Sequence, residues 1–176
     1  MLYREITLND LKDVSELYLK LAQHVKTSSQ DPYFNFNDES SEFNEEFVDN
    51  SSEFKDKSLN EIITGLNDDL EKSDEVTYVA ETVSGKIVGF ISGEIINCYL
   101  PISKVNKVGY IKSAYTLPEY RNKGIMKALE KHILEFFTDN GVSFVELHVM
   151  LKNSTAVDFW ENQGYKTFRV HMRKKI

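Results

Sequence analysis

Leu11, Val14, Leu17, Tyr18, Leu21, Ala22 and Val25 recur at three- and four-residue steps, and this spacing predicts an amphipathic helix. Leu2–Thr7 ahead of it alternates, which predicts a first strand, and Thr7 or Asn9 can cap the helix start. Residues 27–57 mix aromatics with acids, Ser and Asn. They read as loop with one short helical piece anchored by Phe43 and Phe47. Ser58–Lys72 reads as a helix, with Ser58 as cap, Glu61 at the capping-box position and Leu59, Ile62, Ile63, Leu66 and Leu70 inside. Val76–Thr82 and Lys86–Ile96 are apolar runs joined by a turn at Gly85, hence an antiparallel hairpin. Gly89 and Gly93 lie inside the second run, where a bulge or a close backbone approach is the usual reason.

The pattern then gives a strand over 104–116 and a helix over Ile125–Asn140 with Ile125, Leu129, Ile133, Phe136 and Phe137 as its apolar stripe. Gly141 stands where a left-handed cap would end that helix. A strand over 142–151, a short helix over 153–163 capped by Gly164, and a last strand over 165–174 complete the chain. The expected architecture is one α/β domain over residues 1–176. It has a mixed, mostly antiparallel sheet of six or seven strands, helices on both faces, and a helical crossover joining the last strands.

Composition changes the picture in one respect. The net charge is −7, yet residues 27–75 carry 15 acidic and 3 basic residues, a net −12, while residues 76–176 are net +5. A polyanion would prefer the second part and a cation the first. No apolar run approaches the ~20 residues of a membrane span, and Met1–Asp10 lacks a signal-peptide core. The single Cys98 excludes an internal disulfide framework and reads as a small hydrophobe. Together these predict a cytoplasmic protein with no membrane partner. The acidic total argues against nucleic acid, and His24, His132, His148 and His171 have no metal-ligand spacing.

One turn carries chemistry. In "TLPEYRNKGIMKAL" (Thr116–Leu129), Pro118 stops a strand, and Arg121, Asn122, Lys123 and Gly124 arrive just ahead of a helix. The first turn of a helix has free backbone N–H groups and a partial positive charge. Gly124 has no Cβ to keep an anion away, and the two side chains add full charge. This is a site for a phosphate or pyrophosphate. It is not a P-loop, because the Lys-Ser/Thr pair is missing.

Two motifs at this separation make the chain resemble the GNAT superfamily of N-acetyltransferases. The first is "TLPEYRNKGIM" at the helix start. The second is "NSTAVDFWENQGY", Asn153–Tyr165, after the next strand; the hairpin "GKIVGFISGEI" also looks like the family's second and third strands. The resemblance covers 76–176 well and the first strand and helix loosely, while 27–75 matches only in position. It implies acetyl-CoA as co-substrate, with no metal. Arg121, Asn122, Lys123 and Gly124 would bind the pyrophosphate, with the backbone of Ile125, Met126 and Lys127. The strand end Tyr115, Thr116 and Leu117 would pair with the pantetheine arm, where this strand and the next splay apart with the help of a bulge. Asn153 would face that arm, and Phe159 and Trp160 would line the far side of the cofactor or pack the core. Homodimers are common among proteins it resembles.

The reaction implied is attack of a primary amine on the thioester. Such an amine has a pKa of about 10.4 and must lose a proton. Candidate bases are Glu94, Glu146 and His148, the last two on one face of their strand; a water relay is the alternative. The Thr116 backbone N–H would serve the oxyanion. The acidic stretch 27–75 suits a cationic acceptor, either a small-molecule amine or a peptide amine. Four residues depart from the family pattern: Met126 stands for a second Gly or Ala, making the helix start bulkier, Asn122 stands for a Gly, and the other two touch the chemistry. Trp160 stands where many members have an acidic Tyr, and Lys112 where many carry an acid. They leave open a non-catalytic acyl-CoA-binding module of the same fold. A longer acyl-CoA donor also stays open.

Overall fold

The computed structural model describes residues 1–29, 52–99, 103–174 and 176. Among them run strands β1 (Leu2–Glu5), β2 (Glu75–Glu81), β3 (Ile87–Asn97), β4 (Lys107–Thr116) and β5 (Val145–Leu147). The helices are α1 (Leu11–Ser29), α2 (Ser52–Asp69), α3 (Ile125–Asp139) and α4 (Ser154–Asn162). The sheet order is β1-β2-β3-β4-β5. The first three pairings are antiparallel and β4–β5 is parallel, joined through α3.

Five strands among the described residues correct the expected six or seven. The last expected strand, 165–174, has no ladder, and its alternating Phe168, Val170 and Met172 are exposed. The strand expected over 142–151 shortens to three residues. The helix expected from Ser58 begins at Ser52, so Ser58 lies inside it, and residues 27–29 extend α1 where loop was expected. Phe43 and Phe47 lie outside the described residues.

Helices cover both faces, as their stripes require. On one face α1 sets Tyr18 against Phe90 (ring centroids 4.3 Å) and hydrogen-bonds the Ser92 hydroxyl (2.7 Å). On the other, Leu129, Ile133 and Phe137 of α3 are fully buried. Gly93 and Gly109 make this packing possible. A Cβ on Gly93 would lie 2.7 Å from Ile133 Cδ1, and one on Gly109 would lie 2.6 Å from the Phe137 ring. Gly109→Ala is therefore expected to cost about 1–3 kcal/mol by overpacking. A lowered denaturant midpoint would show it, and Phe137→Leu should recover part of the loss.

Thr7, one of the two expected caps, is the N-cap of a 3-10 turn, Leu8–Asp10, that leads into α1, and Asp10 closes a capping box with it. Asp10 accepts hydrogen bonds from the Thr7 N–H and Oγ1 (2.8 Å each) and takes both terminal nitrogens of Arg4 (2.7 and 2.8 Å). Those donors hold its carboxyl down at about 2, the Arg4 hydrogen bonds contributing most.

Candidate active site

β4 is the strand that builds the site. Its ladder with β5 covers only Gly109–Ile111 against Val145–Leu147. Residues 112–116 run on beside β3 alone among the described residues. At that point the β3–β4 register shifts: Ser92 faces Ser113 and Gly93 faces Ile111, so Lys112 is unopposed. A bulge bends its strand and increases the local twist. The sheet is thus split past Ile111, as the resemblance implied.

Backbone alternation fixes what the split offers. Leu117 N donates to Val88 O (2.9 Å), so the Thr116 N–H points the other way, into the split. Tyr115, Thr116 and Leu117 are buried at its end. Pro118–Tyr120 form a 3-10 turn, and Asn122 (φ 60°) and Gly124 (φ 74°) take left-handed backbone. Gly124 is the N-cap of α3, and a Cβ there would meet open space. No side chain caps this helix, whose first bond at this end runs from Ala128 N to Gly124 O (3.0 Å). The earlier N–H groups have no carbonyl within the helix. Ile125 is buried, and Met126 packs against the core, so its bulk leaves the helix start open. Lys127 and Lys123 are exposed.

Arg121 Nε donates to Thr116 O (3.1 Å), with its guanidinium 5.5 Å from the Tyr115 ring, which ties the cationic turn to the strand end. Lys123 Nζ donates to Glu119 O (2.9 Å) and lies 5.2 Å from the Tyr120 ring. His24 of α1 lies 6.4 Å from Tyr115, and burial with the nearby Arg121 charge lowers its pKa.

The three candidate bases converge. Register places Glu94, Tyr110 and Glu146 abreast on β3, β4 and β5. His148, two residues beyond Glu146, places Nδ1 2.8 Å from the Tyr110 hydroxyl. Burial, and then the charges of Glu94 and Glu146, push the Tyr110 hydroxyl above its usual pKa. Glu146 also faces Arg169 at 3.8 Å. Sequence reading missed Tyr110, and only strand register could have found it, by bringing it between two acids. Lys112 is likewise explained: its ammonium bonds Asp69 Oδ2 (2.8 Å) and the Glu75 carboxylate.

Asn153 caps α4 by accepting from Ala156 N (3.3 Å), so one face of its amide is already used. Phe159 is half-buried, and Trp160 belongs to the core, edge-on to Phe159 (4.9 Å) and Tyr165 (5.2 Å). Beneath it Tyr165 Oη is buried beside Glu130 of α3, without a well-formed hydrogen bond. Burial raises the Glu130 pKa, the nearby Tyr165 hydroxyl and the Lys127 charge opposing it. A carboxyl raised in the fold is stabilised when protonated, so its contribution falls as pH climbs from the unfolded value, about 4.5. Glu130→Gln is expected to raise the melting temperature at pH 7 and to change it little at pH 4.

A sheet split after its fourth strand, with an uncapped cationic helix start at the split, defines an acyltransferase-like scaffold. The chain belongs to the acetyltransferase (GNAT) family, whose sequence model matches residues 33–165. It is 32% identical over 97 residues to an uncharacterized N-acetyltransferase of Methanocaldococcus jannaschii, covering 55% of this chain and 42% of that protein. It is 29% identical over 115 residues to N-alpha-acetyltransferase 60 of Danio rerio, covering 56% of this chain and 46% of that protein. The matches thus span less than half the length of these relatives. Among solved structures, aminoglycoside N-acetyltransferase AAC(6')-Iy in complex with CoA shares the fold, with a TM-score of 0.66 at 15% identity over 99% of this chain and 98% of that one. Among the described residues no group of His, Cys, Asp or Glu is arranged to hold a metal, and no helix is long and apolar enough to cross a membrane.

Proposed function

We propose that the chain transfers an acetyl group from acetyl-CoA to a primary amine on a cationic acceptor. The observation that carries this is the split itself: the Thr116 N–H points into it, and the open helix start at Gly124 lies at its end. The pyrophosphate would take the N–H groups of Gly124–Lys127, flanked by Arg121, Asn122 and Lys123. The pantetheine arm would lie along Tyr115–Leu117, facing Asn153 across the split. Phe159 stands on the same helix that Asn153 caps, whereas Trp160 packs the core.

The amine nitrogen attacks the thioester carbonyl carbon, and the Thr116 N–H steadies the oxyanion. The C–S bond then breaks, and the amide and CoA are the products. Tyr110 lies six residues along β4 from Thr116, roughly 17–20 Å at the rise of a strand, so the amine's proton leaves first through water and then through Tyr110 to His148. In the tautomer with hydrogen on Nε2, His148 Nδ1 accepts the Tyr110 O–H, while the Tyr110 oxygen can take a proton that water delivers from the amine. A Tyr110 hydroxyl raised in pKa stays neutral, so it relays the proton and does not hold it. Glu94 and Glu146 flank this relay, and their negative charge favours an approaching ammonium and the imidazolium that forms. Trp160 supplies no acid; a thiol pKa of about 8.5 lets the thiolate leave without one.

The acceptor class follows from the net −12 of residues 27–75. The test is calorimetry with acetyl-CoA, followed by thioester consumption over polyamines, aminoglycosides, basic peptides and neutral amines at low salt. Faster turnover of the cationic amines supports the proposal. Uptake of acetyl-CoA without consumption of any amine would make the chain a non-catalytic acyl-CoA-binding module.

A further inference from the structure

We infer that Lys112 is a positioning residue, which keeps the β4–β5 split open by tying the bend of β4 to α2 and β2; this rests on the split being the cofactor site proposed above. Three observations meet at this residue. The β4–β5 ladder stops at Ile111, one residue before it. The β3–β4 register skips it. Its side chain leaves the sheet for a charge network with Asp69, the last residue of α2, and Glu75, the first of β2.

The network is balanced. Asp69 and Glu75 also hold Lys72, at 2.9 and 2.6 Å, so two cations and two carboxylates alternate. Lys72 is exposed, whereas Lys112 is half-buried. Hydrogen bonds to both carboxylates keep the Lys112 ammonium charged against the desolvation that burial imposes, and its pKa stands above the usual lysine value. Without Lys112 the two carboxylates would share one exposed ammonium, and the bend would lose its attachment.

The consequence for the split follows from strand geometry. A bulge holds one extra residue, and a one-residue slip would turn every following side chain to the other face. Residues 113–116 have β3 as their neighbour and, among the described residues, no ladder on the β5 side, so the anchor at the bend bears on their direction along with the Arg121 bond at Thr116. A ligand that adds to a strand edge gains affinity when that edge is already in place. Lys112 does this through Asp69 of α2, a helix within the acidic stretch, and Glu75 of β2.

Lys112→Met keeps the length and the packing of the stem but removes the charge. Its acetyl-CoA dissociation constant is expected to rise ~10-fold, with kcat at saturation within about twofold of the parent. Lys112→Arg should restore most of the affinity. In the ligand-free protein, amide hydrogen exchange over residues 112–117 should accelerate in Lys112→Met, while residues 87–91 stay as in the parent. Asp69→Asn should give a smaller loss of affinity and add little to Lys112→Met. Unchanged affinity and unchanged exchange in folded Lys112→Met would overturn the inference. Should Lys112→Met not fold, Asp69→Asn decides: normal affinity and exchange there would overturn it equally. If the parent protein takes up no acetyl-CoA, the proposed activity falls, and the exchange comparison in ligand-free protein still decides the role of Lys112.

Discussion

Replacing His148 with alanine is expected to lower kcat by ~100-fold or more while the acetyl-CoA dissociation constant stays within about twofold. The reason is geometric. His148 Nδ1 lies 2.8 Å from the Tyr110 hydroxyl, and His148 is remote in sequence from the turn that would hold the nucleotide end. Removing the imidazole leaves the Tyr110 oxygen with no proton acceptor to relay to. Tyr110→Phe should cost less, ~10-fold, because water can replace one hydroxyl between the amine and His148. Its ring also stays beside His148, the two rings now 5.5 Å apart, so packing loss is small. Single-turnover kinetics at saturating acetyl-CoA measures both. Rates within threefold of the parent for both variants would mean that the proton leaves by solvent alone, as the water relay requires.

Gly124→Glu is expected to weaken acetyl-CoA binding by ~100-fold or more, from two separable costs. The first is backbone: at φ 74° a residue with a Cβ is strained by about 1–2 kcal/mol. The second is charge, since a carboxylate at the helix start would compete for the N–H groups that the pyrophosphate needs. Space is not the issue, because nothing lies within 4 Å of a Cβ there. Gly124→Asn separates the two costs. Asn tolerates left-handed backbone and carries no charge, so its loss should be several-fold only. Calorimetry reads the affinities, and thermal melting without ligand controls for folding. Equal affinity in Gly124→Glu and the parent would remove this turn from the cofactor site.

Much of this arrangement was legible in the residues. Pro118, Gly124 and the stripe from Ile125 mark the turn and α3, because strand stop, glycine and helical period coincide there; that Gly124 takes left-handed backbone is seen only in the structure. Gly93 also read correctly as a place of close approach and of a bulge. What escaped depends on pairing between distant segments. Tyr110 becomes part of a relay only once register sets it beside Glu146 and within reach of His148, and periodicity carries no register. Lys112 looked like a missing base, since its partners Asp69 and Glu75 lie some forty residues away. The strand expected over 165–174 failed for a related reason: alternation gives a segment a preferred shape, but a strand exists only where a neighbour accepts its hydrogen bonds.

The short contact between the fourth and fifth strands has a consequence for handling the protein. Past Ile111 the margin of β4 on the β5 side has no ladder among the described residues, and the Arg121 side chain meets the Thr116 carbonyl there. In a crowded solution such a margin is adhesive: it can template association with any extended polypeptide. Whatever occupies the gap seals that margin. Purified material kept with its nucleotide thioester should therefore remain dispersed longer than material stripped of it.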